Sequence, residues 1–249
     1  MLLVEAQGPV TTIRLNRPEV RNALSDHLVS ALTDAFQSVP DKTRAIVLTG
    51  AEPAFCAGGD LEWMKRAAAY TTDENIADAL KLAELFQVIA TCKPIVVARV
   101  NGHAFGGGAG LVACCDVAVA HPKALMSFSE VKLGLVAATI SRFVVPKIGQ
   151  GHARHLFSTG EVFGAEHALR IGLVHAVEDD LDSLVKAKLK AILAAGPEAA
   201  YASKMLAQNP ALDPLSGARL LAERRATPEA KEGISAFLEK RKASFVVEP

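Results

Sequence analysis

The sequence predicts an α/β layered fold that ends in a purely helical tail, and three features carry that prediction. Short, almost wholly apolar runs, Ile95 to Val100 and Val117 to Ala120, read as strands buried on both faces. Strand, turn, helix and strand then recur along the chain, the order of a layered α/β protein. After about Leu181 the strand-like runs stop, and Ala-rich segments of helical period take over.

Each element has its own local reason. Leu2 to Ala6 and Val10 to Leu15 flank Gly8-Pro9 and read as a hairpin. Ser25 is placed to cap a helix whose apolar face is Leu28, Leu32 and Phe36. Ala45 to Leu48 is a short strand ending at Thr49-Gly50, and a polar loop leads on to Phe55-Cys56-Ala57-Gly58-Gly59-Asp60. Thr72 to Thr91 is a second helix, with Ile76, Leu80, Ala83 and Leu85 to Ile89 expected on its buried side. Pro94 opens the most hydrophobic strand, followed by Asn101-Gly102, a glycine-rich turn and a short apolar helix to about Cys115. In the tail, helices are expected over Leu181 to Ala195, Glu198 to Gln208 and Pro228 to Lys242, with Pro210, Pro214 and Pro228 as boundaries.

Bulk properties narrow the function classes. Lys+Arg and Asp+Glu both total 27, so the basic excess of a general nucleic-acid binder is missing. With 50% hydrophobic and 22% charged residues and no long polar tract, a folded globule is expected. Cys56, Cys92, Cys114 and Cys115 show no C-x-x-C spacing and no zinc-like Cys/His set, so they read as small buried thiols, and no metal is expected. Reduced thiols, with no apparent signal peptide or membrane span, suggest a cytoplasmic protein.

Chemistry is concentrated in two glycine segments. Gly108, Gly110 and Ala113 match G-x-G-x-x-G/A, with Glu130 twenty residues after Gly110. The dinucleotide reading fails on context, because Asn101 to Gly107 separate the strand from the first glycine and the helix is short for a crossover. A different reading takes Ala57 to Asp60 and Gly106 to Gly110 together. Each follows a buried strand and starts a helix, where unpaired N–H groups meet a partial positive pole. Two such groups aimed at one oxygen form an oxyanion hole. Two unrelated helix-start turns are the bland alternative.

Phe55-Cys56-Ala57-Gly58-Gly59-Asp60-Leu61 resembles the first oxyanion loop of the enoyl-CoA hydratase/isomerase (crotonase) family, and Pro94 through Gly108 resembles the second. Leu15-Asn16-Arg17-Pro18, Asn22-Ala23-Leu24, Ser129-Glu130-Val131-Lys132-Leu133-Gly134-Leu135, Gly164 to Val174 and Glu232 to Arg241 agree, so the resemblance spans essentially the whole chain. It implies a crotonase-type spiral of β-β-α repeats over 1-195 that binds acyl-CoA, and a helical trimerisation region over 196-249. A homotrimer or a homohexamer built as a dimer of trimers is implied. By position, the oxyanion donors would be the N–H groups of Gly59 and Gly107. Arg21, Ala23, Ala57, Asp60 and Leu61 would line the coenzyme A moiety, joined by Phe237 and Lys240 from an adjoining subunit. The partner implied is an acyl-CoA thioester, with coenzyme A part of the substrate, no separate cofactor, no nucleic acid and no membrane.

One departure from the family bears on the chemistry. Typical hydratases of this family use two glutamates around a water; the second falls at Glu130, but the first falls at Gly110. The missing carboxylate is expected to leave space for water or a bulkier substrate. Glu130 could then hydrate alone, shuttle a proton between carbons as an isomerase does, or leave the fold to another enolate chemistry such as decarboxylation. A non-catalytic acyl-CoA- or RNA-binding relative is the alternative from another class. The pattern around Gly110 and Glu130 looks like that of bacterial methylglutaconyl-CoA and carboxygeranoyl-CoA hydratases, so a branched or carboxylated enoyl-CoA is expected, with Arg142 as a candidate partner for a distal carboxylate.

Overall fold

A computed structural model describes residues 1–209 and 211–249; Pro210, read above as a helix boundary, lies outside the described residues. The opening hairpin is β1 (Leu2–Gln7) and β2 (Val10–Leu15), paired antiparallel and turning through Gly8 at φ 56°, where glycine meets no Cβ penalty. From there the chain alternates between two sheets. A longer strand enters the first sheet as β3 (Ala45–Gly50), β5 (Ile95–Val100) or β7 (Val117–Ala120). A three-residue strand follows in the second sheet as β4 (Ala54–Cys56), β6 (His103–Phe105) or β8 (Leu125–Ser127). Helical chain then leads back to the first sheet.

Among the described residues the first sheet runs β1-β2-β3-β5-β7-β10 and the second β4-β6-β8-β9, with β9 at Phe163–Gly164 and β10 at Ala176–Val177. Apart from β1 and β9, neighbouring strands are parallel. This is the expected spiral of β-β-α repeats. The helices are α1 (Asp26–Gln37), α2 (Leu61–Ala67), α3 (Thr72–Thr91), α4 (Gly107–Cys114), α5 (Ala138–Thr159), α6 (Ala165–Arg170), α7 (Leu181–Ala194), α8 (Pro197–Ala207), α9 (Pro214–Ala226) and α10 (Pro228–Leu238).

The strands of the first sheet are apolar on both sides because both sides are covered. Ile46, Leu48, Val96, Ala98 and Val100 join α1, α3, α4 and α5 in the main core, while Ala45, Val47, Val97 and Val119 face Leu181, Val185 and Leu189 of α7. Ser25 caps α1 as expected, its Oγ accepting the Leu28 N–H. The tail is tied to the spiral by Lys204 of α8. Its buried ammonium pairs with Asp116 at 2.9 Å and donates to the carbonyls of Cys92 and Pro94, so the desolvated charge is compensated.

One expectation needs correction, and three helices, α5, α6 and α9, were not foreseen. Ile76 and Leu80 are exposed, at 53% and 62%; close packing of α3 begins only at Leu85, Phe86, Ile89 and Ala90. The long helix α5 was hidden by Pro146 and by Gly149, whose φ of 75° kinks it. The tail carries a further helix, α9, behind Pro214, where the sequence reads only a boundary. Among the described residues no helix is long and apolar enough to cross a membrane.

Candidate active site

Three neighbouring parallel strands, β4, β6 and β8, end at one edge of the second sheet, about 4.8 Å apart from one to the next. From that edge emerge Ala57 to Asp60, Gly106 with the start of α4, and a 3-10 turn over Ser129–Leu133 that carries Glu130. Carboxyl ends of parallel strands are where open α/β sheets bind ligands. Residues far apart in sequence, Gly59, Gly107 and Glu130, are thereby delivered to one place.

The first loop is held by the segment before α1. Arg21 and Asn22 adopt left-handed backbone, φ 52° and 58°, which lays Arg21 to Leu24 alongside Ala57 to Asp60. The Ala57 N–H donates to the Arg21 carbonyl, the Leu24 N–H to that of Gly58, and the Asp60 N–H to that of Leu24. Buried Asn22 pins the turn by donating to the carbonyls of Ala51 and Ala54. This parallel bridge uses the groups on either side of Gly59 and leaves the Gly59 N–H without a backbone acceptor among the described residues.

Of the residues expected to line coenzyme A, Arg21 is exposed, Ala57 is partly so, Ala23 is buried, and Leu61 stands 72% exposed at the start of α2. Asp60 has another task. Its Oδ1 caps α2 by accepting the N–H groups of Glu62 and Trp63, and its Oδ2 accepts from Arg17 at 2.9 Å. That Arg17 clamp is a functional feature the sequence reading missed. Burial alone would raise the Asp60 pKa, but the Arg17 hydrogen bond and charge together with the two N–H groups outweigh it and hold the carboxyl below its ordinary range. A depressed acid stabilises the fold above its unfolded pKa, near 3.9, and loses that contribution as pH falls toward the folded value. Asp60→Asn should therefore unfold about 2 kcal/mol more easily than the parent at pH 7 in urea. The gap should narrow below about pH 4; a pH-independent gap would contradict the ion-pair account.

The second loop abuts the first. Gly106 sits at φ 50°, and its N–H donates to Ser127 of β8 at 2.8 Å. A side chain at Gly58, φ 95°, would come within 2.9 Å of the Phe105 carbonyl oxygen and 3.9 Å of the Gly106 Cα. The two loops thus touch through backbone, an approach only glycine permits. Gly107 is the first residue of α4, so its N–H has no intrahelical acceptor and lies at the positive pole of the helix.

Glu130 completes the group. A methyl placed on Gly106 would stand 3.4 Å from Glu130 Oε1, so the carboxyl lies against the second loop. Its Oε2 is buried with no hydrogen-bond partner among the described residues, and burial pushes its pKa up against the opposing effect of a backbone N–H. A half-buried carboxyl poised for proton transfer beside unpaired N–H donors can move protons on a molecule whose oxygen those donors hold.

Two expected features differ. The ground over Gly110 is filled: a Cβ there would overlap Ile140 Cγ2 and lie 3.2 Å from Phe86 Cζ, and both side chains are buried. Packing from α5, thirty residues on, closes the space that loss of a carboxylate was expected to leave. Arg142 is exposed and stacks on Phe143, and it lines a cavity of about 670 Å³ with Cys114, Asp116, Lys147 and Lys204. That cavity is at the C-terminal end of α4, whereas Glu130 faces the N-terminal end. Phe237 lies exposed at the end of α10 and Lys240 exposed just beyond it, with no hydrogen bond or ion pair to either loop among the described residues.

Comparison with known proteins agrees with this geometry. Residues 5–247 match the family described as enoyl-CoA hydratase/isomerase. The chain is 32% identical to a crotonyl-CoA hydratase of Syntrophomonas wolfei, over 98% of this chain and 97% of the relative. Among solved structures it is similar to AtuE of Pseudomonas aeruginosa, with a TM-score of 0.94, 35% identity and 99% of each chain covered. An enoyl-CoA hydratase of Shewanella pealeana superposes with a TM-score of 0.93 at 32% identity, covering 98% of this chain and 95% of that one.

Proposed function

Because the chain belongs to the enoyl-CoA hydratase/isomerase family, we propose that it adds water across the 2,3 double bond of an enoyl-CoA, with Glu130 as the single acid/base. The observation that carries this reading is Glu130 Oε2, buried and unpartnered beside the free N–H groups of Gly59 and Gly107. The thioester oxygen accepts from those two N–H groups. Glu130 takes a proton from water as the oxygen of that water bonds to C3, and the π electrons move to make an enolate whose charge rests on the held oxygen. Glu130 then gives the proton to C2, the carbonyl reforms, and the net change is one water added.

Arg21, Ala57 and Leu61 line the coenzyme A path in this reading, with buried Ala23 and Asp60 holding the loop beneath them. The region 196-249 serves assembly into a trimer or a dimer of trimers, bringing Phe237 and Lys240 to a neighbour's site. Exposure of Leu215, Leu221, Ile234, Phe237 and Leu238 supports that role. The acyl group is branched, and exposed Leu133, Leu135 and Val136 beside Glu130 offer it an apolar approach. A distal carboxylate would need a cation other than Arg142, which faces the opposite end of α4.

The filled ground at Gly110 favours one second reading: a lone carboxylate working between two carbons gives double-bond isomerisation. Absorbance of the conjugated thioester, followed with product mass, separates the two. Hydration bleaches the band and adds the mass of one water, whereas isomerisation alters the band at constant mass. No change with any enoyl-CoA would overturn both.

A further inference from the structure

Ile140 lies at the start of α5 and Gly110 in the second turn of α4, and the two helices meet there without a side chain between them on the α4 side. A methyl group built on Gly110 would overlap Ile140 Cγ2, stand 3.1 Å from Ile140 Cβ and 3.2 Å from Phe86 Cζ. One turn earlier, a methyl on Gly107 would stand 2.9 Å from Leu24 Cδ1 and 3.9 Å from Phe86 Cζ. Leu24, Phe86 and Ile140 are each at most 1% exposed. They form a dry apolar wall along the side of α4 that carries these two glycines. Gly110 itself has φ in the ordinary helical range, so its lack of a side chain answers to Ile140 rather than to its backbone.

From this contact we infer that Ile140 is a specificity-determining residue: by sitting on Gly110 it bars any side chain from that position and so keeps α4 from supplying a second carboxylate beside Glu130. The inference deepens the reading of Glu130 as acid/base and rests on it for its catalytic half. Its steric half stands on packing alone. A carboxylate at 110 would be both overpacked against Ile140 and enclosed by hydrocarbon, two independent penalties. Removing the Ile140 side chain beyond Cβ removes the overlap with Cγ2, leaving only the 3.1–3.2 Å approaches that shifts of a few tenths of an ångström relieve, and opens room that water can enter to ease the second penalty.

Two linked experiments test this. In the first, melting temperatures are measured for Gly110→Ala, Ile140→Ala and the double variant. Gly110→Ala should lower Tm by roughly 3–10 °C through overpacking, and Ile140→Ala by roughly 5–15 °C through the cavity it leaves. The double variant should melt no lower than Ile140→Ala alone, because the added methyl then enters vacated space. Losses that simply add would overturn the steric claim.

In the second, Gly110→Glu is made in the Ile140→Ala background, and the rate penalty of Glu130→Gln is compared there and in the parent. A second carboxylate should cut that penalty at least tenfold. An equal penalty in both backgrounds would overturn the claim that Ile140 limits the number of proton carriers. The alanine cycle reads the contact even if the glutamate variant does not fold. If instead Glu130→Gln leaves the parent fully active, the functional reading fails while the alanine cycle still reports on Ile140.

Discussion

Replacing Glu130 by glutamine is expected to lower kcat by about 10³, the middle of the range for removal of a positioned general acid–base group. The affinity for a saturated acyl-CoA should stay within a few-fold, because glutamine keeps the shape of the side chain and neither loop depends on its charge. Three further readouts follow from the environment of the carboxyl. Its raised pKa means that the protonated fraction persists above the ordinary carboxylate range, so kcat/KM should climb with pH through that raised value. The limb should vanish in the variant. For an acid whose folded pKa is raised, the folded state binds more protons than the unfolded one between the two pKa values, and stability falls as pH rises through that window. Glu130→Gln should therefore melt no lower than the parent at pH 7, and above it if the burial penalty of the anion dominates. A catalytically dead variant that is also less stable would instead indicate a structural glutamate.

Deleting the Gly107 N–H is expected to cost about 10²–10³ in kcat, the measured scale for one oxyanion donor. Proline serves because Gly107 is the first residue of α4, a position where the fixed φ of proline fits and its missing N–H breaks no helical bond. Gly107→Ala is the control. Its methyl meets the tip of Leu24 at 2.9 Å, a flexible side-chain end that can yield, and its N–H is retained. Kinetics of both variants should show proline far slower than alanine at similar KM, the signature of an interaction made mainly in the transition state. Equal losses in the two would assign the effect to packing and remove Gly107 from the site.

Much of this arrangement was legible in the chain itself. The helix Thr72–Thr91 is bounded by a capping box at Thr71 and Glu74 and by Pro94 beyond it, signals that act within a few residues. The buried strands Ile95–Val100 and Val117–Ala120 announce themselves by composition, since both of their faces are covered. The glycine loops were readable because a backbone approach leaves a mark in composition. What was not legible is set by distance in sequence or by brevity. The second sheet is built from strands of two or three residues, too short to show a period of two. Ile76 and Leu80 carry a helical apolar pattern, yet they stand exposed on the first half of α3, and amphipathicity alone does not reveal which neighbour is present. Arg17 reaches Asp60 across 43 positions and Ile140 reaches Gly110 across thirty. Neither pairing has a local signature, and the second reverses the meaning of the glycine from vacant ground to occupied ground.

Both large predictions presuppose that main-chain donors from two loops grip one carbonyl oxygen. A crystal structure with a saturated acyl-CoA bound would read this directly. The thioester oxygen should lie about 2.7–3.1 Å from the nitrogens of both Gly59 and Gly107, with C3 facing Glu130. A thioester oxygen turned to solvent, or bonded to only one of the two nitrogens, would contradict the account.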